Sequence, residues 1–257
     1  MSAEAARTYD AYAEFYDSCV QGRRGDLDVY ASLVPRGGRV IEIGCGTGRV
    51  MEALLDCGAE RLLGVDVSQG MLVRAADRLV QARASGLATL LHADAGRDPF
   101  PEPGSWDLAI VSWFTVNYLV ELAELRALLV NLRAALRPGG RVVLEAFHPK
   151  PLGLPGSRWE STTEFDHQDG RVRRVDVRRL HGDIEERTQT YHHGARPLVA
   201  VRARRRHYPP AVLARSLTAT GFTDVMVRYD LDPGGFVRFT PRAAAPPVKF
   251  MLLAEAS

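Results

Sequence analysis

Apolar residues follow two rhythms along this chain. From Arg39 to Phe147 short β-rich runs alternate with longer stretches whose apolar positions recur at helical spacing, the pattern of a parallel sheet with crossover helices. The runs are RVIEIGC (39–45), RLLGVDV (61–67), ATLLHAD (88–94), WDLAIVS (106–112) and RVVLEAF (141–147). Several are apolar on both faces, as strands buried between helix layers are. Between them the spacing of Met71, Leu72, Ala75 and Leu79 after Ser68 predicts a helix over 68–84. Leu122, Leu125, Leu129 and Leu132 predict another over 121–136, ended by a tight turn at Arg137-Pro138-Gly139-Gly140.

After Phe147 the period shortens to two. Prolines 149, 151 and 155 break the chain, and three stretches between Glu160 and Tyr208 alternate in the manner of strands. Turn signals at Asp169-Gly170, Gly182-Asp183 and Gly194-Ala195 make this an antiparallel meander. A helix over 210–220, stopped by Gly221, leads to two last strands at 223–229 and 248–254, joined by a Gly/Pro-rich loop as a closing hairpin.

Composition narrows the class of protein. With 257 residues, 46% of them hydrophobic and 25% charged, the chain is an ordinary globular domain with room for an insertion, and disorder is excluded. The 33 basic and 31 acidic residues nearly cancel, so bulk charge points to no nucleic-acid partner. Three cysteines, with no C-x-x-C pair and no histidine at ligand spacing, support neither a disulfide framework nor a metal site and suit a reducing compartment. The start has no basic segment followed by an apolar core, and no run reaches the ~18 apolar residues of a membrane span, so a cytoplasmic protein without a membrane partner is expected.

The sharpest chemical signal is Val40-Ile41-Glu42-Ile43-Gly44-Cys45-Gly46-Thr47-Gly48, an apolar strand running into a glycine turn and then a helix. Glycines there let a ligand approach the backbone, and the helix start offers unpaired N–H groups. A dinucleotide fingerprint would place its third glycine at position 49, where Arg49 stands, so the spacing argues against NAD. Asp66 ends the second strand, where a carboxylate can accept both hydroxyls of a ribose, and Asp94 ends the third, where the carboxylate or its loop can meet an adenine amine. Either aspartate alone would be a cap or a solvated turn; the glycine turn and both acids at three successive strand ends make a nucleoside site.

With EIGCGTG, VDVS, HADA, the WDLAIVS strand and the LRPGGRVVLEAF turn and strand, the chain resembles the class I S-adenosylmethionine-dependent methyltransferases. That resemblance implies a Rossmann-like α/β fold, a seven-stranded sheet with its last strand antiparallel, here with an antiparallel β insertion after strand 5. The core would be residues 1–148 and 209–257, with N-terminal lid helices in 1–35, and the β-meander at 149–208 a substrate cap. It implies S-adenosyl-L-methionine as cofactor and S-adenosyl-L-homocysteine as product. The glycine loop, Gly44, Gly46 and Gly48, would hold the cofactor's amino-acid part, Asp66 its ribose, and Asp94 with Ala95 its adenine. Glu42, Val67, Met71 and Ser112 complete the implied site. The segment Tyr9-Asp10-x-x-Ala13-x-x-Tyr16-Asp17 looks like the lid of small-molecule members, with Tyr16 over the cofactor, or else an amphipathic helix packed on the core.

A weaker likeness, resting on the meander, is to nucleotide-linked amino-sugar N-methyltransferases. The residues after the fourth strand, Ser112 to Tyr118, lack the [DNS]-P-P-[YF] loop of amino-methylating DNA and glutamine enzymes, and no Pro-Cys nucleophile for pyrimidine chemistry is present. The expected reaction is methyl transfer to an amine or hydroxyl of a small molecule, nitrogen slightly ahead. An RNA- or protein-modifying enzyme and a cofactor-binding member with another reaction stay open. Tyr118 and His148 follow the fourth and fifth strands and are the candidate catalytic residues, with His192 or His193 next. The meander's arginines, among them Arg174, Arg178 and Arg205, either lie on a solvated face or grip a phosphate or carboxylate. The meander also offers a surface for a homodimer contact.

Overall fold

The computed structural model describes residues 3–20, 25–147, 158–168, 170–229, 235–239 and 249–257. Helices α1 (Ala3–Val20) and α2 (Leu27–Leu33) precede β1 (Arg39–Ile43), α3 (Arg49–Asp56), β2 (Arg61–Asp66), α4 (Gln69–Arg78), α5 (Val80–Ala84), β3 (Ala88–His92) and β4 (Trp106–Val111). A 3-10 turn (Thr115–Tyr118), α6 (Leu122–Ala135) and β5 (Leu136–Phe147) follow. Next come β6 (Arg158–His167), β7 (Gly170–His181), β8 (Ile184–His193) and β9 (Arg196–Arg206), and then α7 (Pro210–Ala219), β10 (Phe222–Tyr229), β11 (Val237–Arg238) and β12 (Lys249–Ala256).

The large sheet has the order β11-β10-β12-β5-β4-β1-β2-β3, parallel from β5 through β4, β1 and β2 to β3, with β12 antiparallel between β5 and β10. It has eight strands rather than seven, because Val237 and Val227 pair at the outer edge within what reads in sequence as a loop. Both faces are packed. Leu125, Leu129 and Leu132 of α6 and Leu213 and Leu217 of α7 cover one face, while Val29 and Tyr30 of α2, Met51 and Leu54 of α3 and Leu72 of α4 cover the other. This double burial is why β1, β2 and β4 need apolar residues at consecutive positions.

Three local expectations change. The helix expected over 68–84 is two helices, parted at Leu79, which is buried where it meets Gly48: a Cβ there would lie 3.1 Å from Leu79 Cδ1. The Arg137–Gly140 turn is instead a bulge inside β5: Leu136 already pairs with Trp106, the register shifts, and Arg141 pairs with Leu108, with Gly139 at φ +75°. The meander has four strands, not three. The three turn signals divide that stretch into four segments, and the first strand, β6, is an edge whose residues are mostly exposed.

The four-stranded sheet buries its own apolar face against α1. Tyr12, Ala13 and Phe15 of the helix pack with Val172, Tyr191 and Val201 of the sheet, and Phe15 stacks on Tyr191 with ring centroids 5.4 Å apart. Helix α1 thus lies between the small sheet and α4. No helix among the described residues is long and apolar enough to cross a membrane.

Candidate active site

The glycine turn sits at the carboxyl end of β1, and its geometry is dictated by close approach. Gly44 has φ +69°, and a Cβ on it would lie 2.7 Å from Cγ2 of Thr115 on the neighbouring turn. Gly46, at φ +55°, has only the Tyr16 ring near it, 3.8 Å from an added Cβ. Asp66, at the end of β2, accepts hydrogen bonds from Gly46 N (2.8 Å) and Ser68 N (2.8 Å), tying the glycine turn to the second strand end. Burial pushes its carboxyl above the usual range against the pull of those N–H groups.

Helix α1 closes this cradle. Tyr9 and Tyr16 are seven residues apart and share a helix face, as do Asp10 and Asp17. The aspartates fix the helix to the core: Asp10 accepts from Ser68 Oγ (2.7 Å) and Gly70 N (2.8 Å), and Asp17 accepts from Thr47 Oγ1 (2.6 Å) and pairs with Arg78 (2.9 Å). The tyrosines are thereby turned to the cradle. Burial lifts both phenols above their ordinary range; at Tyr9 the neighbouring Tyr118 and Tyr16 add to it.

A narrow space at the strand ends is lined by Tyr9, Tyr16, Gly44, Gly46, Asp66, Met71, Trp113, Thr115 and Tyr118. Of the residues expected to bind cofactor, Tyr16, Gly44, Gly46, Asp66 and Met71 meet here. Glu42 and Ser112 lie beneath, the serine hydroxyl donating to Glu42 Oε1 at 2.7 Å. Gly48 caps α3 and faces Leu79. Val67 accepts from His92 through its carbonyl (3.0 Å), Asp94 Oδ1 accepts from Gly96 N (3.0 Å), and buried Ala95 accepts from Asn131 (3.0 Å). These last four residues are outside that lining. Thr115 and Tyr9 were missed as site residues, although Tyr9 stands in the lid motif.

Glu42 is fully enclosed, and its Oε2 has no hydrogen-bond partner among the described residues. Burial raises its pKa to about 8, opposed by the Ser112 hydrogen bond and the Arg49 charge. Because the folded-state pKa is raised, the stability this group contributes is complete below pH ~4.3, where an unfolded glutamate also holds its proton, and is lost as pH rises to about 8. Across that window the wild-type protein should lose up to about 1.4 kcal/mol per pH unit relative to Glu42→Gln, measured by urea unfolding. Parallel pH profiles would show that Glu42 ionises normally.

Beyond the cradle opens a cavity of about 270 Å³ between α1, the turn after β4 and the inner face of the four-stranded sheet. Tyr9, Tyr16, Trp113 and Tyr118 border it as well as the narrow space. The Tyr118 ring lies edge-on to Tyr9 at 5.5 Å, with the Arg205 guanidinium 5.9 Å from its centroid. Trp113 and Phe114 both have positive φ, +49° and +64°. Glu145 of β5 fixes this kink by accepting from Trp113 N (2.9 Å) and from Tyr30 Oη while pairing with Lys249 (2.6 Å). His148 lies outside the described residues. His192 and His193 do not line the cavity.

The meander's arginines divide by strand alternation: Arg171, Arg173, Arg179, Arg202 and Arg204 are exposed, whereas Arg174, Arg178 and Arg205 border the cavity with Arg187. Sequence reasoning passed over Arg187, which stands two residues from Glu185 and so on the same face of β8.

The fold and the strand-end cradle define a class I methyltransferase architecture. The methyltransferase domain family matches residues 40–140. The demethylmenaquinone methyltransferase of Thermus thermophilus is 31% identical over 161 residues, 61% of this chain and 68% of that protein. Among solved structures, the CcbJ methyltransferase from Streptomyces caelestis superposes with a TM-score of 0.78 at 20% identity, over 97% of this chain and 98% of that one. CalS10, an amino pentose methyltransferase from Micromonospora echinaspora solved with S-adenosylmethionine bound, gives 0.70 at 18% identity over 96% of each chain. With several other curated relatives the match spans only 46% to 64% of their length. The chain belongs to the S-adenosylmethionine-dependent methyltransferase family, and S-adenosylmethionine is its cofactor.

The residues present fit that group. The bare backbone at Gly46, the unpartnered Glu42 oxygen and the Asp66 carboxylate at a neighbouring strand end suit an amino acid joined to a nucleoside.

Proposed function

We propose that this protein transfers the methyl group of S-adenosylmethionine to an amine or hydroxyl of a small molecule, the nitrogen of an amino sugar or other specialised metabolite ahead of oxygen. The observation that carries this reading is the shared aromatic border. Tyr9, Tyr16, Trp113 and Tyr118 face both the glycine cradle and the larger cavity, so a donor at the strand ends and an acceptor in the cavity meet across them. The likeness to the sugar N-methyltransferase KedS8 from Streptoalloteichus supports the preference for nitrogen.

When bound, the cofactor supplies a methyl group already made electrophilic by its sulfonium. The protein's task is then chiefly alignment, which can supply ~7 to 11 kcal/mol. In this reading Gly44 and Gly46 admit the cofactor's amino-acid part, Asp66 accepts from the ribose hydroxyls, and Tyr16 covers them. Glu42, Gly48 and Ser112 support the cradle from below, while Val67, Met71, Asp94 and Ala95 form the adenine side. Strands β6 to β9 cap the acceptor, and Tyr118 orients its nucleophile or relays its proton.

Two measurements test this. Asp66→Ala should weaken S-adenosylhomocysteine binding by ~2 to 3 kcal/mol in calorimetry, through loss of an ionised acceptor; unchanged affinity in a folded variant removes Asp66 from the site. Once a substrate screen read as S-adenosylhomocysteine formation yields the acceptor, Tyr118→Phe should lower turnover at least about tenfold with cofactor affinity nearly intact. Wild-type turnover would leave the phenol without a part in the reaction.

A further inference from the structure

The four arginines around the cavity are unequally partnered. Arg178 and Arg187 share the buried Asp176 carboxylate, the first at 2.8 Å and the second through Nε at 2.9 Å. Arg205 donates through Nε to the enclosed Glu185 (3.1 Å), which His207 also meets at 3.2 Å. Both acids lie behind the guanidiniums, and no Asp or Glu is among the residues lining the cavity. Arg174 on β7 has no carboxylate partner among the described residues. Its one hydrogen bond runs from Nη2 to Thr163 Oγ1 at 3.4 Å, and its Nε is closed off from solvent with no acceptor. Such a donor is costly to leave unmade, the more so on a charged group, and a planar guanidinium is matched by the oxygens of a carboxylate or phosphate. An ammonium brought into the same space would meet four guanidiniums.

Resting on the reading of this cavity as the acceptor site, we infer that the acceptor carries an anionic group, carboxylate or phosphate, and that Arg174 is the residue that selects it. The nucleophile and the anion then occupy different ends of one molecule, the first at the Tyr118 border and the second against β7. Arg178, Arg187 and Arg205, committed to Asp176 and Glu185, set the sign of the field, while Arg174 makes the direct pair.

The test is calorimetric titration of the protein with benzoate, phenyl phosphate and benzylammonium at one ionic strength, with and without saturating S-adenosylhomocysteine. Wild type, Arg174→Gln, Arg174→Lys and Arg173→Gln are compared, Arg173 being an exposed neighbour on the opposite side of the strand. At least one anion should bind at least about tenfold more tightly than benzylammonium, a preference lost in Arg174→Gln, partly kept in Arg174→Lys and unchanged in Arg173→Gln. Tighter binding of benzoate assigns a carboxylate, and of phenyl phosphate a phosphate. No saturable anion binding, a preference that survives Arg174→Gln, or an equal loss in Arg173→Gln overturns the inference. Absence of S-adenosylhomocysteine binding is a separate result: it counts against the proposed function, while the titrations without it still decide the anion.

Discussion

Replacing Gly44 by alanine is expected to destabilise the protein by about 2–5 kcal/mol, the sum of a left-handed backbone forced on an L side chain and overlap with a packed neighbour. The overlap is specific, since the new methyl would sit 2.7 Å from Cγ2 and 3.0 Å from Cβ of Thr115. Relief requires the turn after β4 to move away from the cradle, so S-adenosylhomocysteine affinity should fall together with the urea midpoint. Adding Thr115→Ala should restore part of both. A Gly44→Ala protein with wild-type midpoint and affinity would mean that the two turns do not need this contact.

Glu145→Ala should cost about 3–5 kcal/mol, the loss typical of breaking a buried ion pair from one side. Glu145 is fully buried, and its removal deprives the Lys249 ammonium, the Tyr30 hydroxyl and the Trp113 amide of a common acceptor. The amide matters beyond stability because it belongs to the first of two consecutive positive-φ residues, the kink that presents Thr115 and Tyr118. Chemical unfolding gives the magnitude, and a loss below about 1 kcal/mol, the scale of an exposed pair, would show that the kink holds itself.

The sheet and the glycine cradle were legible because their signals are local. An apolar strand followed by glycines at 44, 46 and 48, and acids at the ends of the next two strands, can be read within short windows. The partners of those residues were not. Thr115 is the reason Gly44 must lack a side chain, yet the two are joined only by the pairing of β1 with β4. The break between α4 and α5 falls at Leu79, which lies close against Gly48, and no glycine or proline in the local sequence announces it. The arginines of the meander were visible as a population, but their division into solvent and cavity depends on register: Arg178 stands opposite Arg187, and Glu185 opposite Arg205. Asp10 and Asp17 stand in the lid motif, but their partners are not legible there, because they lie on the β2–α4 turn and on the turn before α3.

The position of α1 has a consequence for how ligands come and go. Its apolar side completes the core of the four-stranded sheet, while its aspartates grip the large domain at Ser68, Gly70 and Thr47. Peeling the helix from the sheet would expose Tyr12 and Phe15 together with Val172, Tyr191 and Val201, and releasing it from the core would uncover Met71 of α4 as well as break the polar contacts of its aspartates. The helix is therefore seated on both sides, by apolar packing against the small sheet and by apolar and polar contacts against α4 and the glycine turn. Tyr9 and Tyr16 border both the cradle and the larger cavity, so any displacement of α1 alters the two spaces at once.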